Sequence, residues 1–398
     1  MRRFGLAVLA TLLLLGGCAD TMNKVKKTTT GWLSDDGDAD DATKPTELDK
    51  EFQPTLNVTE LWSERAGKGT ESLYLKLVPA SDGQHVYTAD RDGRMISLDA
   101  SSGDERWSEQ DDGRLISGGP GVGEGKVFVG TSEAEVVARD AETGKKLWVA
   151  EVSSEVLAPP RAAEGVVIIR TGDGNIYALD AETGLERWVY DRSIPTLTLR
   201  GTAAPTIHRG VVYAGFDNGR IVALDLNTGQ QLWDARLAQP SGRSDLERLV
   251  DIDGEAVLKE DLLYIGSYQG SVAALSAEGG GVEWTRDMST YDNVAVDDER
   301  VYITDERGMV WALSRFDGSA VWRNKDLQYR KLTGPLYFQG HIVTGDFEGY
   351  LHWMDADTGE LVARTRIDKK RILTPPIDIG GALLGYSSSG KIAAFRIE

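Results

Sequence analysis

The sequence predicts an all-β chain, an eight-bladed β-propeller of four-stranded antiparallel blades closed into a ring by an N-terminal strand. Three observations carry this. A block of about forty residues recurs along most of the chain and closes on a tryptophan, and a period in that range marks a solenoid, a propeller or an array. Turn dipeptides recur at fixed offsets inside each block. The last-strand slot, counted round the chain, is filled eight times, although the final block lacks its own outer strand.

One copy shows how the elements are read. Residues 166–170 are a β-branched apolar run, and Asp173-Gly174 makes a turn. Residues 175–179 alternate with period two, Thr183-Gly184 turns again, and 185–189 form a third strand. Asp-Gly and Asn-Gly between alternating runs signal tight hairpins, whose turns need φ > 0. The same slot holds Asp92-Gly93, Asn218-Gly219, Gln269-Gly270, Arg307-Gly308, Glu348-Gly349 and Ser389-Gly390. An inner strand precedes each trio, often entered through proline, as at Pro160, Pro205, Pro335 and Pro376. Four strands at this period fit a propeller blade.

The outer-strand slot holds Trp62, Trp107, Trp148, Trp188, Trp233, Trp284 and Trp322, and the copy DADTGELVART puts Val362 there. Residues 371–398 supply three strands and stop, so 56–62 is expected to complete the last blade. Closure has a physical purpose, because each blade buries its faces only against its neighbours. The tryptophans are accordingly expected to pack between blades. The motif aspartates Asp99, Asp140, Asp180, Asp225 and Asp355 are expected to bond their own backbone before Thr-Gly.

The first residues are of a different kind. Arg2-Arg3, an apolar run over 6–15 and then small residues read as a signal peptide over 1–17, too short to span a membrane as a helix. Leu15-Gly16-Gly17-Cys18 looks like a bacterial lipobox, in which the cysteine is lipidated and becomes the mature N-terminus. Cys18 is the sole cysteine of the chain, so no disulfide or thiolate metal set is available. Several acyl chains on a lipoprotein hold firmly where one does not. Ala19 is not aspartate, and by the enterobacterial sorting rule this resembles an outer-membrane lipoprotein. Residues 18–55 then read as an acidic, flexible linker, too poor in apolar side chains to fold, with an r.m.s. reach of roughly 35 Å. The propeller is expected over 56–398.

Formal net charge is −19, and loss of Arg2 and Arg3 with the leader makes it −21. Such a balance argues against nucleic acid and against adhesion to anionic lipid, leaving membrane contact to the anchor. Catalytic and cofactor signatures are weak. Histidines 85, 208, 341 and 352 have no metal-ligand spacing, and no G-x-S-x-G elbow occurs. Residues 385–391 match G-x-x-x-x-G-K, yet Ile392 stands where a Mg²⁺-binding hydroxyl is needed. Asp36, Asp38, Asp40 and Glu47 mimic calcium-loop spacing, but Asp41 fills the slot that requires glycine. No cofactor or metal is expected.

In a repeat protein the informative residues are those that break the pattern. The interval between outer-strand tryptophans stretches from Trp188 to Trp233 and further from Trp233 to Trp284. The first extension carries Leu197, Leu199 and Arg200, the second Asp251 and Asp253. Both precede the inner strand of their blade, so both are expected on one end of the ring, on adjacent blades, where binding residues concentrate. Apolar anchors beside arginine suit a protein partner, and an Arg200 pair with Asp251 or Asp253 would brace the loops. On pattern alone the two leucines fit buried strand positions equally well.

The repeat A-x-D-x-x-T-G-x-x-x-W resembles the blade motif of pyrroloquinoline quinone dehydrogenases. That resemblance implies a quinone enzyme, but the vicinal disulfide of those enzymes cannot form here. Lipobox, acidic tether, eight blades and the segments LTLRG (197–201) and VDID (250–253) together resemble the BamB family, propeller lipoproteins of the β-barrel assembly machinery. The match covers essentially the whole chain. It implies a non-catalytic scaffold of the outer-membrane assembly complex, lipid-anchored through Cys18 on the periplasmic face. Its partners would be the periplasmic POTRA domains of the central barrel subunit, BamA, bound through Leu197, Leu199, Arg200, Asp251 and Asp253. Unfolded outer-membrane clients are a further expected partner, through pairing at an open blade edge. The alternatives are a quinone-dependent dehydrogenase and a propeller that binds a small ligand in its channel.

Overall fold

In the computed structural model every blade is built from strands that alternate side chains between two neighbouring sheets. The structure describes residues 43–70, 75, 77–191, 203–237 and 250–398. Eight four-stranded antiparallel sheets follow one another in chain order. Blade 3 is typical: Arg161–Ala163 lies innermost, then Val166–Arg170, Ile176–Asp180 and Glu186–Tyr190. Its Val166, Ile168, Ile176, Ala178 and Trp188 pack against Val212, Phe216, Val222 and Leu224 of blade 4. The core is thus a set of inter-blade layers, as expected when a repeat has no partner but its neighbour.

The eighth blade takes Ile377–Asp378, Leu383–Tyr386 and Lys391–Ile397 from the C-terminal end and Val58–Arg65 from the N-terminal end. The two ends zip antiparallel from Val58↔Ile397 to Arg65↔Lys391. Asn57 continues the seam, its carbonyl accepting from Glu398 N at 3.1 Å and its Nδ2 donating to the Glu398 carboxylate at 2.6 Å.

The tryptophans do pack between blades, each with the same grip. Every indole Nε1 donates to a carbonyl of the next blade: Trp62 to Ala100 at 3.0 Å, Trp188 to Leu226 at 2.9 Å, Trp284 to Arg315 at 2.9 Å, and so for Trp107, Trp148, Trp233 and Trp322. The ring lies on the glycine of that blade's last turn. Gly103, Gly144, Gly184, Gly229, Gly280, Gly318 and Gly359 have φ between 69° and 80°. A Cβ on any of them would sit 2.5–2.7 Å from the indole. Glycine is therefore required twice, for backbone conformation and for space. The turn aspartates behave as expected: Asp180 Oδ1 accepts from Thr183 N at 2.9 Å and from its hydroxyl at 2.8 Å. The equivalent bonds from Thr143 and Thr228 hold the carboxyls of Asp140 and Asp225 below the ordinary carboxylate range.

One slot differs from the sequence reading. In blade 7 the register pairs Trp353 with Ala363, as Ala178 pairs with Trp188, so Ala363 occupies the tryptophan position. Val362 is the bulged residue one step earlier, because every outer strand carries a bulge just before this slot. Blade 8 draws its outer strand from the other end of the chain and so has no last turn to receive an indole. Thr55 N and Leu56 N instead donate to Val362 O at 2.9 and 3.1 Å, and Leu56 packs beside Val362 and Ile397.

The compact unit begins at Pro45, so residues 45–57 form a strap across blade 7. Backbone carbonyls and ring stacking hold it. Arg330 Nη1 donates to Thr46 O at 2.9 Å, Arg364 Nη2 donates to Asp49 O at 2.7 Å, and the Arg364 guanidinium lies 5.2 Å over the Phe52 ring. Behind the strap is a buried polar cluster. Arg330 Nε and Nη2 donate to Asp346 Oδ2 at 2.9 and 2.7 Å, and His352 Nε2 lies 2.9 Å from the same oxygen. Burial pushes the His352 imidazole down, more than Asp346 pulls it up, so it is neutral in the fold at pH 7. The unfolded chain takes up this proton below a pH of about 6.5 while the native state refuses it. Stability is therefore expected to fall as pH drops from 7 to 5. Urea titrations should show His352→Gln losing less over that range than the parent.

Candidate docking rim

Each connection from an outer strand to the next inner strand emerges on the same end of the ring as the hairpin between the second and third strands. Backbone bonds tie the two, as in Asp111 N to Gly93 O, Leu237 N to Gly219 O and Ile367 N to Gly349 O, all 2.9 Å. The described residues that flank both long connections lie at this end. Leu197, Leu199 and Arg200 lie outside the described residues, as does Cys18. The residues that flank the two extensions are described, and they converge.

A buried ion pair joins them. Arg170, at the end of a blade 3 strand, donates through Nη2 to Asp217 Oδ1 in the blade 4 hairpin at 2.5 Å, with both side chains almost fully buried. Its Nη1 reaches Ala203 O, the first described residue after the first extension, at 3.5 Å. Asn218 of that hairpin forms a bridge with Val250, the first described residue after the second extension. One guanidinium thus ties the foot of the first extension to the hairpin against which the second is paired. The Phe216 ring, 5.7 Å from the Arg170 guanidinium, shields the pair from water.

From Val250 the chain runs along the rim. Asp251 is fully buried and its carbonyl accepts from Tyr268 N at 2.8 Å. Asp253 is half-buried, and both residues have interactions within the chain. Of the two, Asp253 offers surface, whereas Asp251 acts from beneath. Glu255 N donates to Asn293 Oδ1 at 2.8 Å, and its carboxylate pairs with Arg161 of blade 3. Arg170, Asp217 and Arg161 escape a reading of the sequence, because each occupies an ordinary slot of its repeat.

Other chemistry is sparse. Among the described residues no group of three His, Cys, Asp or Glu side chains could hold a metal ion. A cavity of about 740 Å³ lies under the strap, lined by Leu48, Phe52, Asp326, His352 and Arg364 among others, away from the rim. No described helix is long and apolar enough to cross a membrane.

Comparison with known proteins agrees with this architecture. The profile of the family described as "Outer membrane protein assembly factor BamB" matches residues 56–117 and 109–324. A Xanthomonas campestris pv. campestris protein of that name is 38% identical over 393 residues, covering 96% of this chain and 95% of the relative. The crystal structure of BamB from Moraxella catarrhalis superposes with a TM-score of 0.78 at 28% identity, covering 85% of this chain and all of the other. A quinohemoprotein alcohol dehydrogenase from Comamonas testosteroni has a TM-score of 0.69 but 15% identity, covering 88% of this chain and 78% of its own. That likeness reaches the fold alone.

Proposed function

The chain belongs to the BamB family of outer-membrane protein assembly factors, and from that membership we propose that it is a non-catalytic scaffold for inserting β-barrel proteins into the outer membrane. It is held at the periplasmic face by lipid on Cys18, with residues 18–44 as the tether. It docks onto the POTRA domains of the central barrel subunit through the two-extension rim. Leu197 and Leu199 supply apolar anchors, Arg200 a forked donor, Asp253 an acceptor, and Asp251 supports the rim from below.

The observation that carries this reading is the convergence on one end of the residues that flank both extensions, braced by Arg170 and Asp217. A rigid frame under irregular loops lowers the ordering cost of association, as a docking surface requires. Mobile partner domains would be held in one orientation without bond chemistry.

The test is co-purification from detergent-solubilised membranes. Arg200→Glu, or Leu197→Ala with Leu199→Ala, should abolish recovery of the barrel subunit while the thermal midpoint stays within about 2 °C, since surface substitutions rarely exceed 0.5 kcal/mol. Normal recovery by both variants would refute the site.

A further inference from the structure

Next to Asp251 and Asp253 the rim carries a pair of stacked tyrosines. Tyr268 sits in the blade 5 hairpin between Leu262–Gly266 and Ser271–Ser276, and Tyr291 in the connection from Val282–Asp287 to Ala295–Val296 of blade 6. Their ring centroids are 4.6 Å apart at 24°. Inter-blade tyrosines such as Tyr87, Tyr264 and Tyr302 are fully buried, whereas Tyr291 is 44% exposed. Packing of the core therefore does not explain it.

The pair is held rigidly. Ser267 bridges Ser289, Gln269 N donates to Ser289 Oγ at 3.1 Å, and Gln269 Nε2 donates to the Tyr268 hydroxyl at 2.8 Å. Gln269 has a φ of 47°, a left-handed conformation kept by these contacts. Tyr268 N is bonded to Asp251 O, so the pair adjoins the foot of the second extension.

Its surroundings are acidic. In the adjoining segments 250–256 and 287–293, Asp287 is exposed and Asp253 and Asp292 are half-buried, while Asp251 is buried and Glu255 pairs with Arg161 of blade 3. Exposed Glu306 adjoins Tyr291: its backbone N donates to Ser289 O at 3.2 Å, and its charge helps raise the Tyr291 phenol, whose upward shift comes first from burial. Arg307 follows it in the chain, and Arg286 is engaged by Gly318 O and the Trp311 ring.

An exposed aromatic face bordered by carboxylates attracts a cation through the ring quadrupole and through charge together. We propose that the Tyr268–Tyr291 pair seats an arginine or lysine side chain of the docked protein, so that the partner surface meeting blades 5 and 6 is basic. This rests on the rim being the docking surface.

The experiment uses the full-length protein in mild detergent, with the purified POTRA-domain fragment of the barrel subunit as probe, read by biolayer interferometry. Tyr291→Leu and Tyr268→Leu should each weaken binding about tenfold, Tyr291→Phe no more than about twofold, and Glu306→Lys about tenfold. Leu variants that bind like the parent, while Arg200→Glu does not bind, would leave the rim standing and overturn the cation seat. Loss on Tyr291→Ala but not on Tyr291→Leu would place an apolar side chain there and overturn it equally. Unchanged binding by Arg200→Glu as well would fail the underlying reading instead.

Discussion

Trp188→Ala should destabilise the protein by about 3–5 kcal/mol, the usual cost of removing a large buried aromatic side chain. The indole is 8% exposed, and its loss also strips Leu226 O of its donor. Gly229→Ala should be costly for the opposite reason. Its φ of 70° costs a side chain about 1–2 kcal/mol, and the added methyl would stand 2.6 Å from the Trp188 ring. The two changes should couple. With the indole gone the methyl has room, and Gly229→Ala should then cost only its conformational share. Urea denaturation of the four proteins in the cycle measures this, and plain additivity would show that the indole does not press on the glycine. Blade 7 already carries alanine at this position, and there strap and end seam take over the covering.

The second large effect concerns Arg170 and Asp217. Removing one partner of a buried, hydrogen-bonded ion pair costs about 3–5 kcal/mol, because the other charge is left without compensation. Arg170→Met and Asp217→Leu should each reach that range. The double variant should recover much of it, since well-packed apolar pairs replace buried ion pairs at little cost. Docking should respond differently. Arg170 also bonds Ala203 O at the foot of the first extension, so the double variant should regain stability yet remain impaired in recovering the barrel subunit. If it recovers both, the pair serves the fold alone.

The repeat made most of this fold legible. A forty-residue block, repeated with its tryptophan and its Thr-Gly turn, encodes its own neighbour contacts, and so blade number, closure from the N-terminal side and the indole positions followed from pattern. The slip at Val362 has a physical origin: a bulge adds one residue to the strand without a mark in the side-chain sequence. The strap was read as tether because its grip comes from the carbonyls of Thr46 and Asp49, which composition does not encode. Arg170 with Asp217, and Arg330 with Asp346 and His352, were invisible because the partners sit in different repeats, or on separate segments of blade 7. The Tyr268–Tyr291 stack spans two loops for the same reason. The rim was legible only as a departure from the period, which says where a repeat changes and not what the change touches.

The pairing of Val58–Arg65 with Lys391–Ile397 also orders events in time. The two strands stand at opposite ends of the propeller sequence, and each blade between them can condense on its predecessor before they meet. The last sheet cannot form until Lys391–Ile397 reaches Val58–Arg65. A chain cut before Lys391 leaves Val58–Arg65 without its partner strand and takes Ala393 and Phe395 away from Trp353 and Phe338 of blade 7. The join that closes the circle thus makes both faces of blade 8 depend on the two ends of the chain at once.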